Sequence, residues 1–251
     1  MAAEGKTIDA LSQFELATAL GPIGASVNFT QSNLFMLFAA GLILALMHYG
    51  MRPAAVVPGR LQALAETFHE FARNLVVEHV GPEGRRFFPF VFALFMFILF
   101  GNMMGLLPFA FTFTSHIAVT FTLAMIVFVL ITVVAISLHG KKFFGYFFPE
   151  GAPIWLAPII IPVEIVSYLS RPVSLSIRLF ANMVAGHVML KVFATFIVLL
   201  GGLGAVGPFI AVLPLAVNVA LVGFEVLVAF LQAYVFAILT CIYLHDAVHL
   251  H

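Results

Sequence analysis

An apolar stretch of unusual length occupies residues 162–200, PVEIVSYLSRPVSLSIRLFANMVAGHVMLKVFATFIVLL, and a second occupies residues 208–245, PFIAVLPLAVNVALVGFEVLVAFLQAYVFAILTCIYLH. As one straight helix, each would measure roughly 57 Å at about 1.5 Å per residue, whereas the hydrocarbon core of a bilayer is about 30 Å thick. The stretches therefore either break, with Pro172 and Pro214 as the possible kinks, or cross a membrane at a steep tilt. Regular polar stripes favour a tilted antiparallel hairpin with local kinks, turned by GGLGAVGP.

The composition of the whole chain is that of a membrane protein. Hydrophobic residues make up 63% of the 251 residues and charged residues only 9%, which is too apolar for a soluble domain. We therefore predict an all-α, polytopic membrane protein. The formal net charge of +0 argues against nucleic acid as a partner, and the single cysteine, Cys241, excludes an internal disulfide and any zinc site with two thiolates.

Five apolar stretches are long enough to span a bilayer. They are residues 33–49, 87–111, 116–138, 162–200 and 208–245. The acidic residues Glu4, Asp9 and Glu15 precede them, and no basic region leads into an apolar one there. This pattern predicts that residues 1–32 are a short extramembrane segment rather than a cleaved signal peptide, and that residues 33–251 form a single membrane domain.

Residues 60–80 have a different character. Apolar side chains recur at three- and four-residue steps between charged ones, at Leu61, Leu64, Phe68, Phe71 and Leu75. This pattern predicts an amphipathic helix at the membrane interface.

The basic residues lie on one side of the predicted spans. They are Arg52, Arg60, Arg73, Arg85, Arg86, Lys141 and Lys142. The connections on the other side, TFTSH and GGLGAVGP, contain no Lys or Arg. Since basic loops remain in the cytoplasm, we predict an outside N-terminus and a cytoplasmic C-terminus.

Polar residues follow one face of each long stretch. On the first they are Glu164, Ser167, Arg171, Ser174, Arg178 and Asn182, and on the second Asn218, Glu225, Gln232 and Tyr243. Steps of three, four, seven and eleven return to nearly the same face of a helix. A hairpin turned near Gly204 then predicts three levels, which pair Arg178 with Gln232, His187 with Glu225, and Glu164 with Tyr243.

Arg178 stands at mid-depth in this hairpin. A guanidinium cannot lose its proton in a protein, so a permanent cation within a membrane segment predicts a functional site. Titratable and polar groups lie on either side of it: His187, Glu225 and Asn218 toward the outside, and Glu164, Ser167, Ser174 and Tyr243 toward the cytoplasm. Two such groups separated by one that cannot titrate predict a proton path that is interrupted rather than continuous.

Several of these residues have a structural alternative. Arg178 could pair with a carboxylate of its own chain, Arg171 could extend to the inner interface, and Tyr243 could belong to an interfacial aromatic belt. His187 and Glu225 could form a purely structural pair. Asn102 could satisfy backbone groups at a helix bend. The tail residues His245, His249 and His251 could bind a metal, although the chain offers them only Asp246 as a carboxylate neighbour, and we predict no metal site.

Three motifs carry a family resemblance. RPVSLSIRLFANMVAGH, FEVLVAFLQAYVFAILTCIYL, and GNMMGLLPF with Asn102 and Pro108 resemble subunit a of the F-type ATP synthase. The resemblance implies that Arg178 is the essential arginine of the family, that Asn182 and Gln232 are its neighbouring amides, and that Glu164 belongs to the inner access path. His187 and Glu225 are exchanged relative to the familiar bacterial pattern, as in mitochondrial members, which preserves one acid and one imidazole.

The resemblance implies a non-catalytic stator subunit that conducts protons to carboxylates of a rotating c-ring. The implied partners are the c-ring, the peripheral-stalk b subunits and the lipid bilayer, and no cofactor is implied. The bacterial inner membrane is the expected location and the mitochondrial inner membrane the alternative. A stand-alone secondary transporter or channel is the competing function, although such proteins commonly show internal repeats that this sequence lacks.

Overall fold

The computed structural model describes residues 30–52, 57–107, 112–140, 143, 145 and 154–249. In this part the chain forms six α-helices: α1 (Gln31–Gly50), α2 (Arg60–Val80), α3 (Phe88–Gly105), α4 (Ile117–His139), α5 (Ala157–Gly201) and α6 (Gly207–Val248). Short 3₁₀ turns lie at Pro82–Phe87, Phe113–Ser115, Ile154–Leu156 and Gly204–Val206. All helices except α2 are long and apolar enough to cross a membrane. The predicted all-α fold with five spans is therefore confirmed.

The predicted bounds agree with most of the helices. The spans predicted at 33–49 and 116–138 correspond to α1 and α4 within two residues at each end. The span predicted at 87–111 is too long, because α3 ends at Gly105. Pro108, the N-terminal residues 1–29, Lys141, Lys142 and His251 lie outside the described residues, and the orientation of the chain stays a prediction.

The two long stretches are continuous helices of 45 and 42 residues. Pro162, Pro172 and Pro214 lie inside them without ending them, so the alternative of broken segments is wrong. At about 1.5 Å per residue, helices of this length reach roughly 65 Å, more than twice the thickness of a bilayer core. The steep tilt remains the geometry that would fit them into a membrane.

Glycine makes the turn between α5 and α6 possible. Gly204 has φ 74°, a left-handed conformation that side chains rarely adopt. At Gly207 a Cβ atom would lie 2.6 Å from the carbonyl oxygen of Leu200. The predicted turn therefore reverses the chain tightly enough for α5 and α6 to pack along each other.

Helix α6 lies at the centre of the bundle. It packs against α5, α3, α2 and α4, and the side chains of Ala229, Ala233, Phe236 and Ala237 are fully buried there. Small residues one turn apart let helix backbones approach closely, which is how membrane helices associate without a hydrophobic driving force. One face of α6 is thereby held against the neighbouring helices.

Helix α2 has the predicted bounds and packs on the other helices mainly through small side chains. Its tightest contacts involve Ala65, Ala72 and Val76, which are at most 1% exposed, whereas Leu61 and Leu64 of the apolar stripe are 59% and 45% exposed. Ala65 packs so closely on α1 that a Cβ at Gly50 would lie 2.8 Å from it. The short alanine side chains allow close helix contacts, whereas Leu61 and Leu64 stay free to face lipid, as an interfacial helix requires.

Candidate functional site

Arg178 lies on the exposed side of α5. Its neighbours Leu175 and Leu179 are 2% and 0% exposed and anchor the adjacent side of the helix in the bundle. Among the described residues, Arg178 has no hydrogen bond or ion pair, so the alternative of an ion pair within the chain finds no support. A permanent cation in a membrane-length helix therefore faces away from its own chain, where a partner molecule can reach it.

Asn182, one turn after Arg178, links the two long helices. Its side-chain N–H donates a hydrogen bond of 2.9 Å to the side-chain oxygen of Gln232. Gln232 is only 4% exposed, and its Nε2 has no hydrogen-bond partner among the described residues. The sequence predicts Arg178, Asn182 and Gln232 at one level, and of the two α5 residues it is Asn182 that contacts Gln232.

His187 and Glu225 lie close together, as the hairpin register predicts. The distance from His187 Nδ1 to Glu225 Oε1 is 3.8 Å, and both side chains are largely buried. Gly186 makes this approach possible, since a Cβ there would lie 2.5 Å from Glu225 Oε1. The absence of a side chain on α5 thus gives the carboxylate of α6 its position.

A cleft of about 460 Å³ opens between α5 and α6 beside Glu225. Asn182 and Gln232 line it farther along, together with mainly apolar side chains. Neither carboxylate oxygen of Glu225 has a hydrogen-bond partner among the described residues, and the same holds for Oδ1 of the half-buried Asn218. Buried polar atoms without protein partners indicate space for water beside Glu225 and Asn218.

The opposite end of the hairpin contains a cluster around Arg171. Arg171 Nη1 lies 3.5 Å from Asp246 Oδ2, and its guanidinium lies over the rings of Tyr168 and Tyr243 at 5.4 and 4.8 Å from their centroids. Arg171 therefore has partners within its own chain, and its place relative to the membrane interface stays a prediction. The predicted level of Tyr243 with Glu164 is wrong, since Arg171 occupies the place beside Tyr243.

The remaining residues assigned to the inner path lie along α5. Ser167 and Ser174 are exposed and Glu164 is half-buried. They share the outward side of the helix with Arg178 rather than converging on one point. Ser167, Ser174 and Arg178 thus face outward, whereas Arg171 and Asn182 of the same stripe contact α6. Glu225 and Gln232 of the α6 stripe face the bundle.

Asn102 joins three parts of the chain. It is fully buried, its Nδ2 donates to the backbone oxygen of Ala229 at 3.4 Å, and its Oδ1 accepts a hydrogen bond of 2.9 Å from Thr114. Asn102 does satisfy a backbone group, but on α6 rather than at a bend of its own helix. It therefore fixes the end of α3 against the centre of the bundle.

Comparison with known proteins identifies the family. A family model described as ATP synthase A chain matches residues 33–245. The chain belongs to this family. It is 65% identical over 252 residues to the ATP synthase subunit a of Granulibacter bethesdensis, with 100% of both chains covered. It is 61% identical over 246 residues to that of Gluconacetobacter diazotrophicus and 50% over 248 residues to that of Parvibaculum lavamentivorans, with at least 95% of every chain covered.

Membership of the ATP synthase A chain family gives the chain its general role. It is a proton-translocating, non-catalytic membrane subunit of an F-type ATP synthase and part of that complex. The bacterial relatives and the five apolar helices support a multi-pass protein of the bacterial plasma membrane. This role decides against the stand-alone transporter.

Among the described residues, no three His, Cys, Asp or Glu side chains converge to hold a metal ion. His245 and His249 stack with their ring centroids 4.6 Å apart at the end of α6. His251 lies outside the described residues. The described part of the tail therefore offers no observation in favour of a metal there.

Sequence reasoning missed three residues of this site. Asp246 follows Gln232 by two steps of seven, so the periodicity that linked Asn218, Glu225 and Gln232 would have found it. Tyr168 and Thr112 carry no comparable signal. Their contacts with Arg171 and His187 depend on how separate segments meet.

Proposed function

We propose that this subunit provides two offset half-paths for protons, which lead from opposite sides of the membrane to carboxylates on a c-ring and are kept apart by Arg178. The observation that carries the proposal is the exposed guanidinium of Arg178, which has no ion pair among the described residues. A cation in that position is stable in a membrane only beside water or an anionic group of a partner. A carboxylate that moves past on a ring meets this requirement.

The outer half-path runs by way of Asn218, His187 and Glu225. An imidazole and a carboxylate 3.8 Å apart can pass a proton at near-neutral pH once a small shift or a bridging water joins them by hydrogen bonds. The adjoining cleft leads toward Asn182 and Gln232, next to the turn that contains Arg178. A proton that arrives there neutralises a c-ring carboxylate, which can then face lipid.

The inner half-path runs along the cytoplasmic half of α5, by way of Ser174, Ser167 and Glu164, with Tyr243 nearby on α6. Support comes from the exposure of both serines on the side of α5 that also presents Arg178. Hydroxyl groups on an outward helix face hold water along a route to the cytoplasm.

Arg178 acts through its fixed charge. An opposite charge within a few ångströms lowers a carboxylate pKa by about 1 to 3 units, so the ring carboxylate loses its proton as it passes. The same charge repels any proton that would cross directly from one half-path to the other. Each proton delivered through the potential supplies about 2.3 kcal/mol per 100 mV, which drives the ring. The peripheral-stalk b subunits hold this subunit against rotation.

The test is Arg178→Ala in the assembled complex, with ATP-driven acidification of membrane vesicles as the measurement. We expect pumping to be lost while assembly of the complex is retained. Arg60→Ala is the matched control, because Arg60 is an exposed arginine in the first turn of α2. Pumping by the Arg178 variant at the parent rate would overturn the proposal.

A further inference from the structure

A buried polar segment connects α3 to α4. Thr112 precedes the 3₁₀ turn Phe113–Ser115, and the side chains of Thr112, Thr114 and Ser115 are 6%, 0% and 4% exposed. Burying three hydroxyl groups is unfavourable unless each has a hydrogen-bond partner. Each of the three hydroxyls has a hydrogen-bond partner.

Two of the hydroxyls fix the turn itself. Ser115 Oγ donates a hydrogen bond of 2.6 Å to the backbone oxygen of Thr112, and Thr114 Oγ1 donates to Asn102, which is bound in turn to α6. The ring of Phe113 lies so close to Gly101 that no Cβ atom would fit there. These contacts hold the backbone of Thr112 in one place relative to α3 and α6.

The third hydroxyl reaches the outer half-path. Thr112 Oγ1 lies 2.9 Å from His187 Nε2, which is hydrogen-bond distance. The other ring nitrogen, Nδ1, is the one that lies 3.8 Å from Glu225. Thr112 and Glu225 thus contact opposite edges of the same imidazole.

A hydroxyl suits this position for a chemical reason. It can accept a hydrogen bond from a protonated Nε2 and donate one to a bare Nε2, so it can hold the ring in either state. The bond made by one imidazole nitrogen also governs what the other nitrogen carries and where it points. A group that gains and loses protons needs such a partner to keep its orientation throughout.

We infer that Thr112 is a positioning residue of the outer half-path, which holds the imidazole of His187 so that Nδ1 faces Glu225. The inference rests on the proposed function, since it gives His187 and Glu225 their role in proton transfer. Thr112 exchanges no proton with the ring carboxylate. Its contribution is the orientation of His187 in both protonation states.

Gly105 supports the same arrangement. A Cβ atom at Gly105 would collide with the Thr112 side chain, with Oγ1 as the nearest atom. The last residue of α3 is therefore a glycine at the one point where Thr112 needs the space. Gly105→Ala would leave the hydroxyl in the chain but displace it from His187.

The experiment compares Thr112→Val with Thr112→Ser in the whole complex, measured as ATP-driven acidification of vesicles per assembled complex. Valine keeps the branched shape without the hydroxyl, so we expect proton transport to fall about three- to tenfold, as the loss of one hydrogen bond predicts. Serine keeps the hydroxyl, so we expect transport near the parent rate. Thr122→Val is the matched control, since the Thr122 hydroxyl is exposed and bonds only within α4, to Ala118.

The outcomes separate this inference from the proposed function. Parent-like transport by Thr112→Val, or a serine variant as impaired as the valine one, would overturn the positioning role. Glu225→Gln is measured alongside. Normal proton transport by Glu225→Gln would show that the outer half-path itself is wrong. Loss of transport in Glu225→Gln together with normal transport in Thr112→Val would overturn only the role of Thr112. Thr112→Ala provides a second hydroxyl-free variant should the valine variant not assemble.

Discussion

Asn182 of α5 and Gln232 of α6 share a hydrogen bond of 2.9 Å, one helical turn beyond Arg178. This contact occupies the buried side chain of Gln232, which the sequence alone had placed level with Arg178. Arg178 is left facing outward without an ion pair among the described residues. The register of the hairpin therefore leaves the cation available to a carboxylate of another subunit.

We expect the hydrogen bond between Asn182 and Gln232 to stabilise the protein. Asn182→Ala would leave the buried Gln232 with an unsatisfied oxygen, which costs about 1 to 3 kcal/mol. We expect a lower temperature of dissociation or unfolding for the solubilised complex, measured by thermal denaturation. Ser137→Ala is the control, because Ser137 is exposed and bonds within its own helix to Val134. Equal stability of the Asn182 and Ser137 variants would contradict the importance of the pair.

The His187 and Glu225 pair predicts an order among variants. Glu225→Gln removes the only carboxylate of the pair, whereas His187→Glu combined with Glu225→His exchanges the two groups and keeps one acid and one imidazole in contact. We expect Glu225→Gln to reduce ATP-driven proton pumping more than the exchange does. The opposite order would mean that each group depends on its own surroundings rather than on its neighbour.

We expect a side chain at position 186 to displace the carboxylate of Glu225. In Gly186→Ala the new Cβ would lie 2.5 Å from Glu225 Oε1, so the carboxylate must move away from α5. We expect slower pumping with little loss of assembly, because alanine is otherwise favourable in a helix. Gly41→Ala in α1 is the control, since a Cβ there meets nothing within 4 Å. Pumping that is equal in both variants would show that the close approach is dispensable.

We expect the two kinds of contact that Arg171 makes to contribute unequally to stability. Asp246 is 38% exposed, so solvent screens the ion pair. Asp246→Asn should therefore lower the free energy of unfolding by only about 0.2 to 1 kcal/mol. Arg171→Ala also loses the contacts with Tyr168 and Tyr243 and should cost more, since cation–π contacts contribute about 0.5 to 2 kcal/mol. Thermal denaturation at low and high salt tests both points. A larger loss for Asp246→Asn, insensitive to salt, would contradict this assignment.

Part of the candidate site was predictable because helical periodicity is a local property. The step of seven that joins Asn218, Glu225 and Gln232 places them on one face whatever surrounds the helix, and the hairpin turn at Gly204 brings His187 near Glu225. The contact partner on α5 differs from the predicted one by about one turn for Gln232 and about two turns for Tyr243. Their neighbours depend on the packing of α5 against α6, which no spacing within one helix reveals.

The sequence by itself determined that this chain is a helical membrane protein with five spans, because length and apolar composition alone set those properties. It also determined the polar stripes and the permanent charge of Arg178. Only the tertiary structure decided which side chains meet: Asn182 with Gln232, Arg171 with Asp246, and Thr112 with His187. The physical reason is that these contacts join residues far apart in the chain, whose meeting depends on how whole helices pack and on close approaches such as Gly105 on Thr112.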